Sequence, residues 1–143
     1  MESLPFETHS FDVVAAAGSL SYGDPDLVDA EVRRVLRPGG IFVCVDSLNH
    51  NPVYRFNRWF HYMRGVRTKS TFLRMPTMER IQGISKRFKN AECRYFGAVS
   101  YLMPLLARII GQRRAAEVSD AVDLLVHVHR SAFKFVLVAS GRL

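Results

Sequence analysis

The stretch that decides the fold runs from Glu2 to Val45. It reads ESLPF at residues 2–6, SFDVV at 10–14, DPDLVDAEVRRVLRPGG at 24–40 and IFVCV at 41–45. Phe11–Ala17 and Ile41–Val45 are short apolar runs without alternation, a pattern typical of parallel strands buried on both faces. With a helix between them, they predict one right-handed βαβ unit of an α/β sheet.

The intervening helix has clear start and stop signals. Asp24 is a good N-cap, and Pro25 suits the first helical position. Apolar residues recur at the spacing i, i+4, i+7, i+8, namely at Val28, Val32, Val35 and Leu36. The segment RPGG at 37–40 should end the helix, because proline stops propagation and glycine permits a left-handed turn.

In this order and spacing, ESLPF, SFDVV and RPGG followed by IFVCV resemble the class I S-adenosylmethionine-dependent methyltransferases, specifically the type 11 domain. The resemblance implies a Rossmann-like half-sheet of parallel strands with a C-terminal antiparallel hairpin and a helical insertion. The last strand, Phe133–Ser140, should then lie between its predecessor, Ala91–Ala98, and the strand at Ile41.

The same resemblance implies S-adenosylmethionine as cofactor. The glycine-rich turn of the family precedes ESLPF, whereas this sequence starts at Met1. We therefore expect one partial methyltransferase domain, 1–143, that is the C-terminal part of a larger enzyme and inactive or weak by itself. Met1 and Glu2 would lie at the edge of the adenine site. The loop under the methionine part of the cofactor would supply Ala17, Gly18, Ser19 and Tyr22.

The acceptor should lie beyond the carboxyl ends of the same strands, as ligands of open α/β sheets do. The residues expected to face it are Asp46, Asn49, His50 and Arg55. Methyl transfer depends chiefly on positioning, so no catalytic residue is assigned. His50 is a weak candidate for a general base, although a loop histidine is more often merely solvated.

The composition is that of a chain that can form a hydrophobic core, and its charged residues are unevenly distributed along the sequence. The 143 residues are 48% hydrophobic with a net charge of +7. Eight acidic and three basic residues occur up to Asp46, and five acidic and seventeen basic ones follow. Cys44 and Cys93 lack the paired spacing of a metal or redox site. Without a signal segment or an apolar run long enough to span a bilayer, the sequence predicts a cytoplasmic protein.

The segment 47–78 contains no acidic residue, and its arginines alternate with aromatic residues. Phe56, Trp59, Phe60 and Met63 have helical spacing, which predicts an amphipathic helix ending near Gly65. We interpret the segment as an insertion or cap. It could be a lid over an anionic acceptor, a membrane-surface helix or a nucleic-acid patch. The simplest interpretation is a helix with its aromatic face in the core and its arginines solvated.

Further helices are predicted downstream. One should follow Thr77, with Glu79, Ile81, Ile84 and Phe88 in its body, and close at Asn90. Others should cover 102–110 and 115–128, the latter with Val118, Val122 and Leu125 on its inner face. His127 and His129 would point about 200° apart on a helix. A metal site is therefore not expected.

Two functional hypotheses remain open. The first is an enzyme that transfers a methyl group from S-adenosylmethionine to a small molecule, such as a sugar or a lipid-linked acceptor. The second is a non-catalytic remnant or interaction module that binds a second copy or an upstream-half partner through the open sheet edge, since an uncovered apolar strand favours association. Nucleic-acid binding through the basic segment is a weaker third hypothesis.

Overall fold

The computed structural model describes residues 1–66, 68–125 and 131–142. Four strands form one sheet: β1 (Phe11–Ala17), β2 (Leu36–Ser47), β3 (Phe88–Phe96) and β4 (Lys134–Arg142). The helices are α1 (Pro25–Val35), α2 (Pro52–Met63), α3 (Lys69–Leu73), α4 (Met78–Ser85), α5 (Met103–Ile110) and α6 (Gln112–Leu125), with a short 3₁₀ turn at Ser100–Leu102.

The strand order is β1-β2-β4-β3. β1 pairs with β2 in parallel, with Val13 opposite Ile41 and Ala17 opposite Val45. β4 is antiparallel to both neighbours and lies between β2 and β3. The predicted βαβ unit, the inserted last strand and the terminal hairpin are therefore confirmed.

The predicted capping of α1 is also confirmed. The Asp24 carboxylate accepts hydrogen bonds from the backbone of Asp26 and Leu27, and Pro25 occupies the first turn. The helix buries Val28, Val32 and Val35. The RPGG segment differs from expectation, because it belongs to the first part of β2 rather than to a separate turn.

Among the residues that the structure describes, the core lies on one face of the sheet. Phe42 and Cys44 of β2 and Phe135, Leu137 and Ala139 of β4 pack there with apolar residues of α1 and α4. On the opposite face, Val13, Ile41, Val45 and Val138 remain 39–53% exposed. The prediction that β1 is an interior strand buried on both faces was wrong for the described chain, in which β1 pairs only with β2.

Two helix predictions were also wrong. Phe88 and Asn90 lie in β3, because pairing with β4 recruits them into the sheet, and α4 already ends at Ser85. In α6, Val118 is 41% and Leu125 is 81% exposed, so they form no inner face; the buried residue is Ala115. His127, His129 and Val128 lie outside the described residues, as does Arg67.

Candidate functional site

The carboxyl ends of β1 and β2 meet at one edge of the sheet, and two loops continue from them. The β1 loop (residues 18–24) leads into α1, and the β2 loop (residues 48–51) leads into α2. Gly18 N–H donates to the Val45 carbonyl at 2.8 Å, which holds the start of the β1 loop beside the end of β2. Sequence-predicted residues from both loops therefore reach the same edge, where ligands of open α/β sheets bind.

Asp46, near the end of β2, holds the β1 loop through its side chain. It is 6% exposed, and its carboxylate accepts hydrogen bonds from Leu20 N–H at 3.0 Å and Ser47 N–H at 2.6 Å. Since Leu20 is itself 1% exposed, Asp46 anchors the β1 loop to the core. Its carboxylate therefore positions the β1 loop, and its contact with an acceptor stays a prediction.

A second anchor comes from α4, and no local sequence pattern indicates it. Arg80 donates to the Leu20 carbonyl at 3.0 Å and pairs with Asp29 of α1 at 3.1 Å. Burial raises the pKa of Asp29, and the charge and hydrogen bond of Arg80 offset part of that increase. Arg87 also contacts Asp29, at 3.4 Å. Only the tertiary fold brings these residues, which are 50 or more positions apart, together.

The β2 loop is fixed by contacts along its length. Leu48 N–H donates to the Phe133 carbonyl, and Asn49 N–H donates to the Pro76 carbonyl. Asn51 is 2% exposed, caps α2 through its side-chain oxygen and donates to the Ser131 carbonyl. Asn51 was missed from sequence, although asparagine before proline is a recognisable start of a helix.

The predicted acceptor-facing residues differ in their surroundings. Asn49 has a buried side-chain oxygen that accepts no hydrogen bond from the described residues. His50 and Arg55 are exposed. Buried oxygens normally have a donor, so Asn49 Oδ1 is the atom of this loop most suited to receive a hydrogen bond from a ligand.

The predicted cofactor-binding residues fit their role unequally. Gly18 has a φ angle of 61°, and a Cβ placed on it would meet no atom within 4 Å, so a ligand can approach this backbone closely. Ala17 and Ser19 flank it, and Tyr22 is 71% exposed on the same loop. These features fit the methionine side of S-adenosylmethionine.

The N-terminal residues fit the cofactor less directly. Met1 is 39% exposed. Glu2 Oε1 accepts a hydrogen bond from Asp24 N–H at 2.5 Å and lies 3.7 Å from Arg74. Glu2 thus links the N-terminal segment to the start of α1, and its carboxylate is already partly committed to the protein.

Two other chemistries receive no support from the described ranges. No cluster of three or more histidine, cysteine or acidic side chains there could hold a metal ion. Burial raises the pKa of the Cys44 thiol to about 12, so this cysteine is a core residue rather than a nucleophile. None of the helices in these ranges has the length and apolar character to cross a bilayer.

Together, the parallel β1–β2 pair, the antiparallel β4–β3 hairpin and the loops at the carboxyl edge define the class I S-adenosylmethionine-dependent methyltransferase fold. Residues 1–44 match a family model described as "Methyltransferase domain". In this part of its sequence the chain is therefore similar to methyltransferase domains.

Among curated proteins, the chain is 40% identical over 58 residues to sterol 4-C-methyltransferase strm-1 of Caenorhabditis elegans, covering 40% of this chain and 17% of that protein. The chain therefore spans under a fifth of the length of this relative.

Solved structures support the same fold. A phosphoethanolamine N-methyltransferase of Haemonchus contortus, solved with S-adenosylhomocysteine, superposes with a TM-score of 0.55 and 15% identity over 96% of this chain and 34% of that one. Geranyl diphosphate C-methyltransferase of Streptomyces coelicolor A3(2), also solved with S-adenosylhomocysteine, gives a TM-score of 0.55 and 18% identity over 99% of this chain and 51% of that one.

Proposed function

We propose that this chain is the C-terminal part of an enzyme that transfers a methyl group from S-adenosylmethionine to a small-molecule acceptor. The observation that supports this most is the anchoring of the β1 loop to the end of β2 through Asp46. The β1 loop lies within residues 1–44, which the family model matches, and at the sheet edge where a ligand is expected.

On the cofactor side, S-adenosylmethionine would be bound by Met1, Glu2, Ala17, Gly18, Ser19 and Tyr22. S-adenosylmethionine supplies an electrophilic methyl group on a sulfonium. The protein's task is then to hold donor and acceptor in line and to exclude water, which suits a site with few ionisable side chains. The open backbone at Gly18 and the exposed ring of Tyr22 would border the methionine side of the cofactor.

On the acceptor side, Asn49 would orient the substrate by accepting a hydrogen bond at its buried oxygen. His50 is exposed at the next position and could accept a proton from a hydroxyl acceptor; an acceptor that is already nucleophilic needs no base. Arg55 is exposed in the first turns of α2 and would attract an anionic group on the acceptor.

For the acceptor we propose a lipid-like or lipid-linked molecule, with a sugar as the other class to test. The curated relative is described as a sterol methyltransferase, and one structural neighbour binds geranyl diphosphate. These names support an apolar acceptor without identifying it. The exposed apolar side chains of α2, which directly follows the β2 loop, are compatible with that class.

The experiment has a binding arm and an activity arm. Calorimetry with S-adenosylhomocysteine compares the chain with its Tyr22→Ala variant, and Tyr101→Ala serves as the control because that ring is also exposed. Radiolabelled methyl transfer is then measured on sterol, isoprenoid and sugar acceptors, with the chain and with the product of the complete reading frame around Met1. Loss of binding in Tyr22→Ala alone, with transfer by the complete product, supports the proposal. Absence of both binding and transfer in the complete product refutes it.

A second function is favoured by one observation. The second face of the described sheet leaves Val13, Ile41, Val45 and Val138 partly exposed, which suits a protein partner. If the chain is an interaction module, Val13→Lys should dissociate a dimer or complex in light scattering, and S-adenosylhomocysteine should not bind. A monomer unaffected by this substitution would argue against the module.

A further inference from the structure

Helix α2 turns its most apolar side chains toward solvent. Val53, Phe56, Trp59, Phe60 and Met63 are between 45% and 66% exposed. At 100° per residue they occupy one arc about 120° wide, the width of a face that normally packs on a core. We call these five residues the α2 apolar face. The expectation that the aromatic face of this helix lies in the core was therefore wrong.

The opposite side of α2 carries the residues that attach the helix to the protein. This explains why the α2 apolar face points toward solvent. Arg58 is 8% exposed, and its guanidinium contacts Met75 Sδ at 2.7 Å. Tyr54 stacks on Phe133 with ring centroids 4.5 Å apart, and its hydroxyl lies 2.9 Å from Ser100 Oγ. With these contacts formed, a rotation that buried the α2 apolar face would expose Arg58 and break the stack. The outward orientation is thus a consequence of packing.

The border of the α2 apolar face is basic. Arg55 and Arg64 of α2 are exposed, Lys69 is exposed at the start of α3, and no carboxylate occurs between Ser47 and Met78. The Arg64 guanidinium lies 5.6 Å from the centre of the Phe60 ring, so its charge is held directly above the apolar surface. Arg74, farther along the chain, is already paired with Glu2 at 3.7 Å, so its charge is partly neutralised within the protein.

We propose that the α2 apolar face binds the surface of an anionic lipid bilayer, with the helix lying in the plane of the interface. Aromatic side chains would enter the boundary between headgroups and acyl chains, while the arginines and Lys69 contact lipid phosphates. A helix of 12 residues is about 18 Å long, which suits an interfacial helix rather than one that spans the membrane.

The details of the face favour lipid over nucleic acid. Base stacking uses separate aromatic platforms, but Phe56 and Trp59 lie side by side with ring centroids 5.7 Å apart, and the Arg64 guanidinium covers one side of Phe60. Val53 and Met63, at the two ends of the face, offer aliphatic contact only. A continuous apolar strip with a cationic border complements acyl chains beneath anionic headgroups.

Trp59 makes the inference directly measurable, because it is the single tryptophan of the chain. The chain is mixed with phosphatidylcholine vesicles that contain or lack phosphatidylserine, and tryptophan emission and co-sedimentation are recorded. The expected result is a blue shift with sedimentation that requires phosphatidylserine and weakens as salt is added. Equal binding to neutral vesicles, or no binding to either, overturns the proposal.

Matched variants test the surface itself. Phe56→Ser combined with Phe60→Ser keeps Trp59 and should weaken vesicle binding at least about tenfold. Arg55→Glu combined with Lys69→Glu should do the same for anionic vesicles. The control is Leu105→Ser combined with Ile109→Ser, which removes side chains that are 61% and 73% exposed on α5. An equal loss in the control overturns the proposal, as does a blue shift produced by poly(U) or by self-association in the absence of vesicles.

Discussion

Replacing Asp46 by alanine should destabilise the protein by loosening the β1 loop. The carboxylate accepts the Leu20 N–H at 3.0 Å in a buried setting, and a hydrogen bond to a charged group contributes about 1.5–3 kcal/mol. The shorter bond to Ser47 N–H joins adjacent residues and is partly accessible, so it should add less. We expect a loss of about 2–3 kcal/mol in the free energy of unfolding.

The reason for a loss of this size is the burial of Leu20, which is 1% exposed. Without the carboxylate, its N–H has neither a protein acceptor at that position nor water, unless the loop opens. Asp46→Asn keeps an oxygen for this N–H and removes the charge, so it should cost only about 1 kcal/mol. The free energy of unfolding should therefore be lowest for Asp46→Ala, intermediate for Asp46→Asn and highest for the native protein.

Urea unfolding measures the free energy, and hydrogen exchange followed by NMR reports on the Leu20 amide. In Asp46→Ala this amide should exchange about 30- to 100-fold faster, in line with the expected energy. Asp12→Ala is the matched control, because the Asp12 carboxylate is 76% exposed in its ion pair with Arg37 and should contribute less than about 1 kcal/mol. Unchanged Leu20 exchange in Asp46→Ala would refute the assigned anchoring role.

Two further predictions concern other contacts. The hydrogen bond from Arg34 holds the pKa of Glu31 at about 2, below its ordinary value of 4.5, so the native state binds fewer protons than the unfolded state. The stabilisation by Glu31 should be complete above about pH 4.5 and fall as the pH approaches 2. The urea unfolding midpoint of Glu31→Gln should depend less on pH in this range than that of the native protein. An equal pH dependence in the two proteins would contradict this. Gly97→Ala should destabilise by about 2 kcal/mol or more in thermal unfolding, because Gly97 has a φ of 76° and a Cβ there would collide with the Phe133 ring. Gly83→Ala is the control: it lies in a helix with no atom within 4 Å of the added Cβ, and should stabilise by up to about 1 kcal/mol. Equal effects at both glycines would refute the packing account.

The strand, helix and strand between Phe11 and Ser47 could be predicted from sequence because their signals are local. Each signal lies within a few residues of the element that it specifies. These signals are the Asp24 cap, the apolar spacing of α1 and the continuous apolar runs of the two strands. The position of β4 between β2 and β3 depends on pairing between residues that are distant in sequence. It was predicted only through the family resemblance.

The site was predicted less completely. The sequence placed Gly18 and Asp46 at the carboxyl ends of neighbouring strands, and the structure brings them together. It did not indicate that Arg80 supports the same loop, because a contact across 60 residues leaves no periodic pattern. The assignment of individual residues to cofactor and acceptor stays a prediction.

By itself, the sequence determined the βαβ unit and the methyltransferase resemblance, since both depend on short-range order along the chain. Tertiary structure alone decided which face of α2 is buried and that Phe88 joins a strand. Helical periodicity shows that α2 has two unlike faces, but the contacts of Arg58 with Met75 and of Tyr54 with Phe133 select the one that packs. Pairing with β4 likewise overrides the local helical pattern at Phe88, because the backbone hydrogen bonds and burial gained in the sheet involve residues distant in sequence.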